Sequence, residues 1–333
     1  LAHRTGSRGS YHVFTVQKMT ALEIAKELVR RPSVNPTHDP DSAGEVAVVD
    51  WLENWGQTHK LQTLREPALP GRDNISFTIK NGAGPHLLLN GHTDTVSVAG
   101  MCIEPFSGEV REGRLWGRGA TDMKGPLACM LAALLELRAR KDWRGTVTVG
   151  CVVDEETEFQ GIVHLIKDHE PWDFAVVGEP TNLRVVRGCK GCLRTVVRVQ
   201  GRAAHSSDPQ QGRNAIVGMV PVLGAVQAFF DSEIARFTRE GFSPCTGSVG
   251  LIEGGAAVNI VPDTCAATFD IRTVPGQDTA ATLAALEIFV RERVKERDGC
   301  ELIFDPPYHD SPNFETPAGH PLVHTACELR DQP

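Results

Sequence analysis

The sequence predicts an α/β protein: a helix-covered, mostly parallel sheet with an inserted α+β, ferredoxin-like domain. Three observations predict it. Short apolar runs alternate with amphipathic stretches through the first half of the chain. Histidine and acidic clusters fall where those runs end, at 92–94, 154–156 and 178–180. After Pro180 the order changes to paired β-rich runs separated by longer helical ones.

The elements follow in order. A helix is expected over 20–31, where Thr20 and Glu23 form a capping box, Leu22, Ala25, Leu28 and Val29 share a face, and Pro32 ends the run. Ser42 and Glu45 suggest a second capping box, opening a helix with Val48, Leu52 and Trp55 on one side. Strands are expected at 74–80 and 86–90, a helix at 124–140, a β-branched strand at 145–153, a helix near 161–168 and a strand at 173–177. Beyond Pro180, strands at 184–187, 192–200, 247–252, 264–273 and 300–304 alternate with helices at 214–231 and 278–297. Pro221 is expected to kink the first of these helices or lie near its start. After Pro306 and Pro307 the chain is expected to return to the first domain with a helix at 321–330. The domains are then 19–182, 183–306 and 307–333, the last incomplete.

Composition narrows the function. With 333 residues the chain is long enough for two cores, and 41% hydrophobic with 23% charged residues is ordinary for a globular protein. A net charge of −8 argues against nucleic acid or an anionic membrane as the main partner. Nine cysteines, an odd and scattered set, do not suit a secreted disulfide framework, so a cytoplasmic location is expected. No apolar run is expected to reach the roughly 18 residues that cross a bilayer. Residues 1–18 show no period and no signal-peptide core, and the native start is expected at Met19.

The chemistry centres on 87–124. The apolar run 87–90 delivers His92 and Asp94 just past its end, and on extended backbone residues two apart point the same way. That suits a histidine giving one ring nitrogen to a metal while a carboxylate holds its ring. Singly, each group has a plainer reading: His92 as a hydrogen-bonded structural residue, Asp122 as a helix N-cap, Glu155 and Glu156 as a solvated helix start, Glu179 as a turn residue before proline. Jointly, four clusters at strand-to-helix junctions of one sheet point to a shared metal centre. Nitrogen and carboxylate donors without thiolates suit Zn²⁺, Mn²⁺ or Co²⁺. Of two adjacent glutamates, one is free to act as a base.

The motifs Gly91-His92-Thr93-Asp94, Gly117-Arg118-Gly119-Ala120-Thr121-Asp122-Met123-Lys124-Gly125, Asp154-Glu155-Glu156 and Gly178-Glu179-Pro180-Thr181 resemble the signature of the dinuclear-zinc peptidase and aminoacylase family. That family includes acetylornithine deacetylase, succinyl-diaminopimelate desuccinylase, aminoacylase and glutamate carboxypeptidase. The resemblance runs from about Met19 to the chain's last residues, and four ordered motifs make it specific. It implies two zinc ions per subunit, with His92 and Glu179 on one ion, Glu156 on the other and Asp122 bridging. It implies Glu155 as general base and acid, Asp94 as the group orienting His92, and a cis peptide after Asp122. The stretch 201–207 with 212–216 resembles the family's dimerisation or lid domain, which gives His205 the role of stabilising the oxyanion across a homodimer. Asn259 and Arg272 resemble lid residues that contact substrate; without the family, Arg272 reads as a partner of Asp270 on an exposed strand.

The activity implied is removal of an acyl group from an N-acyl amino acid, as in the arginine-biosynthetic acetylornithine deacetylase. A dipeptidase, carboxypeptidase or desuccinylase of the same family is the alternative, and a non-catalytic dimeric metal-binding protein the competing class. The family's late histidine ligand to the second metal has no counterpart: His309, His320 and His324 lie in other contexts, so a fragment of a longer protein is expected. Cys189-Lys190-Gly191-Cys192 has redox-like spacing but no second pair and is read as incidental, though relatives commonly carry histidine where Cys189 sits.

Overall fold

In the computed structural model the described residues are 19–167, 171–294 and 299–330, so the expected extension 1–18 lies outside them. The chain divides into two compact units between Leu183 and Arg184.

The first unit runs α1 (Ala21–Val29), α2 (Val46–Thr58), β1 (Gln62–Leu69), β2 (Arg72–Asn81), β3 (His86–His92), β4 (Glu109–Arg111), β5 (Arg114–Trp116), α3 (Lys124–Ala139), β6 (Gly145–Val152), α4 (Gln160–Lys167) and β7 (Phe174–Val177). The Thr20–Glu23 capping box is present at the start of α1. The second one is not. Ser42 Oγ donates to Val34 O at 2.6 Å, and α2 starts at Val46 without a side-chain cap. Glu45 is drawn instead onto the Arg72 guanidinium, 2.6 Å away, because a fully buried carboxylate needs a cation more than a helix needs an extra cap.

The sheet order is β1-β2-β6-β3-β7. The β6–β3 and β3–β7 pairs are parallel, whereas β1–β2 and β2–β6 are antiparallel, so the sheet is mixed rather than mostly parallel. β1 was not foreseen: QTLREPAL is a polar edge strand with a register shift after Pro67, and neither period nor apolarity marks it. Ile24, Leu28, Val48, Leu52 and Trp55 pack with Leu127, Leu131 and Leu134 over one face of the sheet, against Ile75, Phe77, Val147 and Val149. Leu165 of α4 meets Leu88 and Val152 on the other. This three-layer arrangement decides where the site lies. Three parallel neighbours, β6, β3 and β7, all end at one edge of the sheet, and α3, which precedes β6 and runs back across it, starts there.

The second unit contains β8 (Gly188–Cys189), β9 (Cys192–Gln200), β10 (Ala204–His205), α5 (Ala215–Ser232), β11 (Thr246–Gly254), β12 (Ile260–Val261), β13 (Thr264–Arg272), α6 (Thr279–Arg293), β14 (Glu301–Phe304), β15 (His309–Ser311), β16 (Phe314–Glu315) and α7 (Pro321–Arg330). An antiparallel sheet of order β11-β13-β9-β14 gives a β-α-β-β-α-β, ferredoxin-like order over β9–α5–β11–β13–α6–β14, the expected β-β-α-β-β-α-β without its first strand. Its core joins Leu193, Val197 and Phe269 to Met219, Val222 and Phe229 of α5 and Leu286 of α6. Residues 184–187 form no strand; only β8 pairs here, with β16. The chain also does not turn away after Pro307, because β15 extends along β9. Pro221 lies inside α5. With the turn that follows it, the 22-residue stretch Ala215–Arg236 is long and apolar enough to cross a membrane by length and composition, a candidate the sequence reading had not counted. One side of it is buried against the unit's own sheet, the position of a core helix.

Phe77 is fully buried and meets Trp55 edge-on with ring centroids 5.4 Å apart. Phe77→Ala is expected to destabilise the protein by about 3–5 kcal/mol, measured as a lower midpoint in urea unfolding followed by tryptophan fluorescence.

Candidate metal centre and active site

Each strand end at the shared edge supplies one part of the site. β3 ends in His92 and leads directly to Asp94; β6 leads into Asp154-Glu155-Glu156; β7 leads into Gly178-Glu179. The turn before α3 supplies Asp122, and the Asp122–Met123 peptide is cis, as the resemblance implied. Gly91 lets β3 pass close to α3: a Cβ there would stand 2.7 Å from Met123 Cε, and that side chain would have to shift.

The donors converge on one imidazole. His92 Nε2 lies 3.0 Å from Asp122 Oδ1, 3.4 Å from Glu179 Oε1 and 3.7 Å from Glu155 Oε2. Two ligand groups result, His92–Asp122–Glu179 and His92–Glu155–Glu156, each with its donor atoms within 4.8 Å of one another. His92 is buried, while Glu155 and Glu156 are half-buried and Asp122 is open to solvent. The other ring nitrogen, His92 Nδ1, is 3.0 Å from the main-chain oxygen of Asp94 and 3.4 Å from its Oδ1. Asp94 therefore touches the ring mainly through its backbone. Its carboxylate accepts the main-chain N–H groups of Glu155 on Oδ1 and Glu156 on Oδ2, both at 3.1 Å, and Asn35 Nδ2 at 2.8 Å.

The electrostatics follow from this crowding. Burial alone would lower the His92 pKa, but hydrogen bonds with Asp122, Asp94 and Glu179 outweigh it and the imidazole is pushed up to about 12. Burial raises Glu155 to about 7, assisted by the neighbouring Glu179, Glu156 and Asp94 carboxylates and opposed by His92. Burial also raises Glu156, while the bond to His92 holds Asp122 below its ordinary value. Acidic oxygens in such excess over one imidazole favour a cation. The donor set of nitrogen and oxygen without sulfur fits a divalent ion of the zinc, manganese or cobalt kind.

The remaining named residues lie in the second unit. His205 on β10 pairs with Ile260, and the Ser206 N–H donates to Asn259 O at 3.0 Å, so His205 and Asn259 are neighbours. Arg272 forks onto Asp270 at 2.7 and 3.1 Å, the plain reading of its position, and Arg194 shares that carboxylate at 3.0 Å. All nine cysteines are free; Cys189 is exposed, and buried Cys192 has its sulfur 3.7 Å from Asp270 Oδ2. What the sequence reading missed is the support behind the acidic loop: Asn35, Glu45 and Arg72. Glu45 was noticed as a cap, and the half-buried charge of Arg72 carried no motif.

An α/β sheet with a histidine ringed by carboxylates at its carboxyl edge has the features of an amide-bond metallohydrolase, and comparison with known proteins supports that class. Residues 88–328 match the family model described as Peptidase family M20/M25/M40. Acetylornithine deacetylase of Vibrio vulnificus is 32% identical, with 96% of this chain and 85% of that protein covered. The enzyme of the same name from Proteus mirabilis is 31% identical, covering 91% and 80%. In fold the chain is similar to an M20 family metallo-carboxypeptidase from Sulfolobus solfataricus (TM-score 0.70, 19% identity, 94% and 84% covered). It is also similar to a dinuclear metal-binding M20 peptidase from Bacillus subtilis (TM-score 0.66, 15% identity, 93% and 78% covered). The chain belongs to peptidase family M20/M25/M40 and is an amide-bond hydrolase.

The raised Glu155 pKa has a stability consequence in metal-free protein. An acid whose folded pKa of about 7 exceeds its ordinary 4.5 costs no stability below pH 4.5, and loses it progressively as pH rises to about 7. Glu155→Gln is therefore expected to raise the unfolding midpoint of chelator-treated protein at pH 8 by a few degrees, with the gain vanishing below pH 4.5. A pH series of thermal melts checks this.

Proposed function

We propose that this chain is a zinc-dependent deacetylase of the acetylornithine deacetylase type, hydrolysing the amide of an N-acyl amino acid. The observation that carries the substrate choice is the 31–32% identity to enzymes of that name over more than nine-tenths of the chain. In this reading His92 and Glu179 would hold one ion, Glu156 the other, and Asp122 would serve both. When bound, such a pair supplies Lewis acidity toward the scissile carbonyl and lowers the pKa of water.

The protein's own groups then do the following. Glu155 takes a proton from the attacking water and returns it to the departing amine, a double task for which its half-buried carboxyl group beside the other donors is placed. His205 donates to the developing oxyanion. Its Nδ1 accepts the Ser207 N–H at 3.2 Å, which places the proton of the neutral ring on Nε2, the tautomer a donor needs. Asn259 beside it holds the substrate, and Arg272, oriented by Nε and Nη2 on Asp270, offers its remaining Nη1 edge to the α-carboxylate.

A homodimer formed through the second unit supplies His205 across subunits. β11 is an edge of its sheet and carries exposed Leu251 and Ile252, an edge that pairing would cover. Nine free cysteines suit a cytoplasmic, biosynthetic setting. The dipeptidase, carboxypeptidase and desuccinylase readings differ only in side chains around the substrate, which a substrate panel separates.

The full-length protein, reconstituted with Zn²⁺, is expected to release ornithine from N-acetylornithine in preference to N-succinyl-diaminopimelate or dipeptides. A preference for either of the others, or metal binding with no cleavage, overturns the assignment. Glu155→Gln is expected to lower kcat by about 10³-fold or more with zinc retained, and His205→Ala by about 10²–10³-fold, both read by steady-state assay alongside metal analysis.

A further inference from the structure

Behind the acidic loop stands a chain of polar contacts that runs from the start of α2 and β2 to Asp94. Arg72, at the start of β2, grips Glu45 through Nη2 at 2.6 Å and Nε at 2.9 Å. Its third contact, Nη1 to Asp154 Oδ1, is 2.8 Å long. Glu45 is fully buried and Asp154 nearly so. The same Asp154 oxygen accepts Thr157 Oγ1 at 2.7 Å and Asn35 Nδ2 at 3.2 Å, and Asn35 passes on to Asp94 at 2.8 Å.

Asp154 also has a left-handed backbone, φ 67°, costly for a residue with a Cβ and maintained only where surrounding contacts over-determine it. That conformation turns the chain sharply at the end of β6. The next two N–H groups, of Glu155 and Glu156, then both face one carboxylate, Asp94. A buried ion pair is seldom retained for stability alone, since its desolvation cancels much of the attraction. Here the pair acts on the residue whose left-handed backbone begins the loop.

We propose that Arg72, locked on Glu45, is a positioning residue for the catalytic loop: it holds Asp154 in its left-handed turn so that Glu155 and Glu156 stay registered on Asp94. The inference rests on the reading of Glu155 as base and Glu156 as ligand given above. It extends the site's support from the strand ends back to β2 and α2, and makes the loop's geometry a property of the protein before any ion binds.

The test uses the whole protein. Removing Arg72 alone strands a buried carboxylate, so the informative variant is Glu45→Gln with Arg72→Met, which removes both charges at similar volume. Asp154→Gly is the second variant: glycine adopts a positive φ without strain, so the turn persists while its side-chain tether is lost. Arg65→Met, which removes three ion pairs at the outer edge of the same sheet, is the control. Three quantities are read: amide hydrogen exchange across 154–157 in metal-free protein, Zn²⁺ affinity by competition with a chromophoric chelator, and kcat and KM on N-acetylornithine.

Both variants are expected to lose exchange protection in this segment, to bind zinc about tenfold more weakly and to lose 10–100-fold in kcat. KM should stay within about twofold, and the control should match the native protein in all three. Unchanged protection in a folded variant, or equal losses in Arg65→Met, overturns the proposal. If the native protein cleaves no N-acyl amino acid, the functional reading fails, while exchange and zinc affinity still decide the role of Arg72.

Discussion

The structure depends on holding carboxylates together against their mutual repulsion. Asp94, Asp122, Glu155, Glu156 and Glu179 gather around a single imidazole. Two like charges 4 Å apart repel by about 4 kcal/mol at an effective dielectric near 20, so the cluster forms only because rigid elements impose it. Parallel β6, β3 and β7 do so by ending at one edge. Asp94 does so by converting its charge into hydrogen bonds with the loop's own backbone. The shifts in His92 and Glu155 express the same crowding from opposite sides, one basic group holding its proton and one acid recovering it.

The part of this legible in sequence was the part where chemistry and local pattern coincide. A histidine two residues before an aspartate at the end of an apolar run signals both a strand and a ligand, and β3 with His92 was read from it. β9, β13, α3, α5 and α7 were placed within a residue or two because period and apolarity are strong there. β1 was invisible because an exposed edge strand is under little pressure to be apolar. The sheet's mixed direction was missed because strand direction is a tertiary property that no window of residues encodes: β2 runs antiparallel to both β1 and β6. Glu45 was misread because its pattern, a serine three residues earlier, fits a cap equally well. Only the position of Arg72 across the layer decides otherwise.

Lys124 shows how the motif around Asp122 combines support with charge control. Its side chain is fully buried and its ammonium donates to Arg31 O at 2.7 Å, at the carboxyl end of α1. Burial, with a smaller contribution from the Arg31 charge, pushes its pKa down to about 7. The lysine thus ties the start of α3, and with it Asp122, to the end of α1, and does so with an amine directed at a main-chain oxygen. A lysine turned toward the carboxylates would neutralise them permanently. Placed as it is, it braces the turn and leaves the acidic cluster with charge for an exchangeable cation.

Chemistry and selectivity are separated along the chain. The groups that would hold ions and move protons all precede Leu183, on loops whose geometry is determined by strand ends and by buried contacts such as Asn35–Asp94. Those assigned to substrate follow Arg184, on a ferredoxin-like sheet where Arg272, Arg194 and Asp270 form an open ionic lattice on one face. Side chains on such a face can change with little cost to the core, because the opposite face alone carries Leu193, Val197, Phe269 and Ile271. A family built this way can keep one hydrolytic centre while varying the acyl amino acid or peptide it accepts. In the proposed reading the acidic loops carry the reaction class, and the fit to one acyl amino acid or another falls to side chains of the second unit.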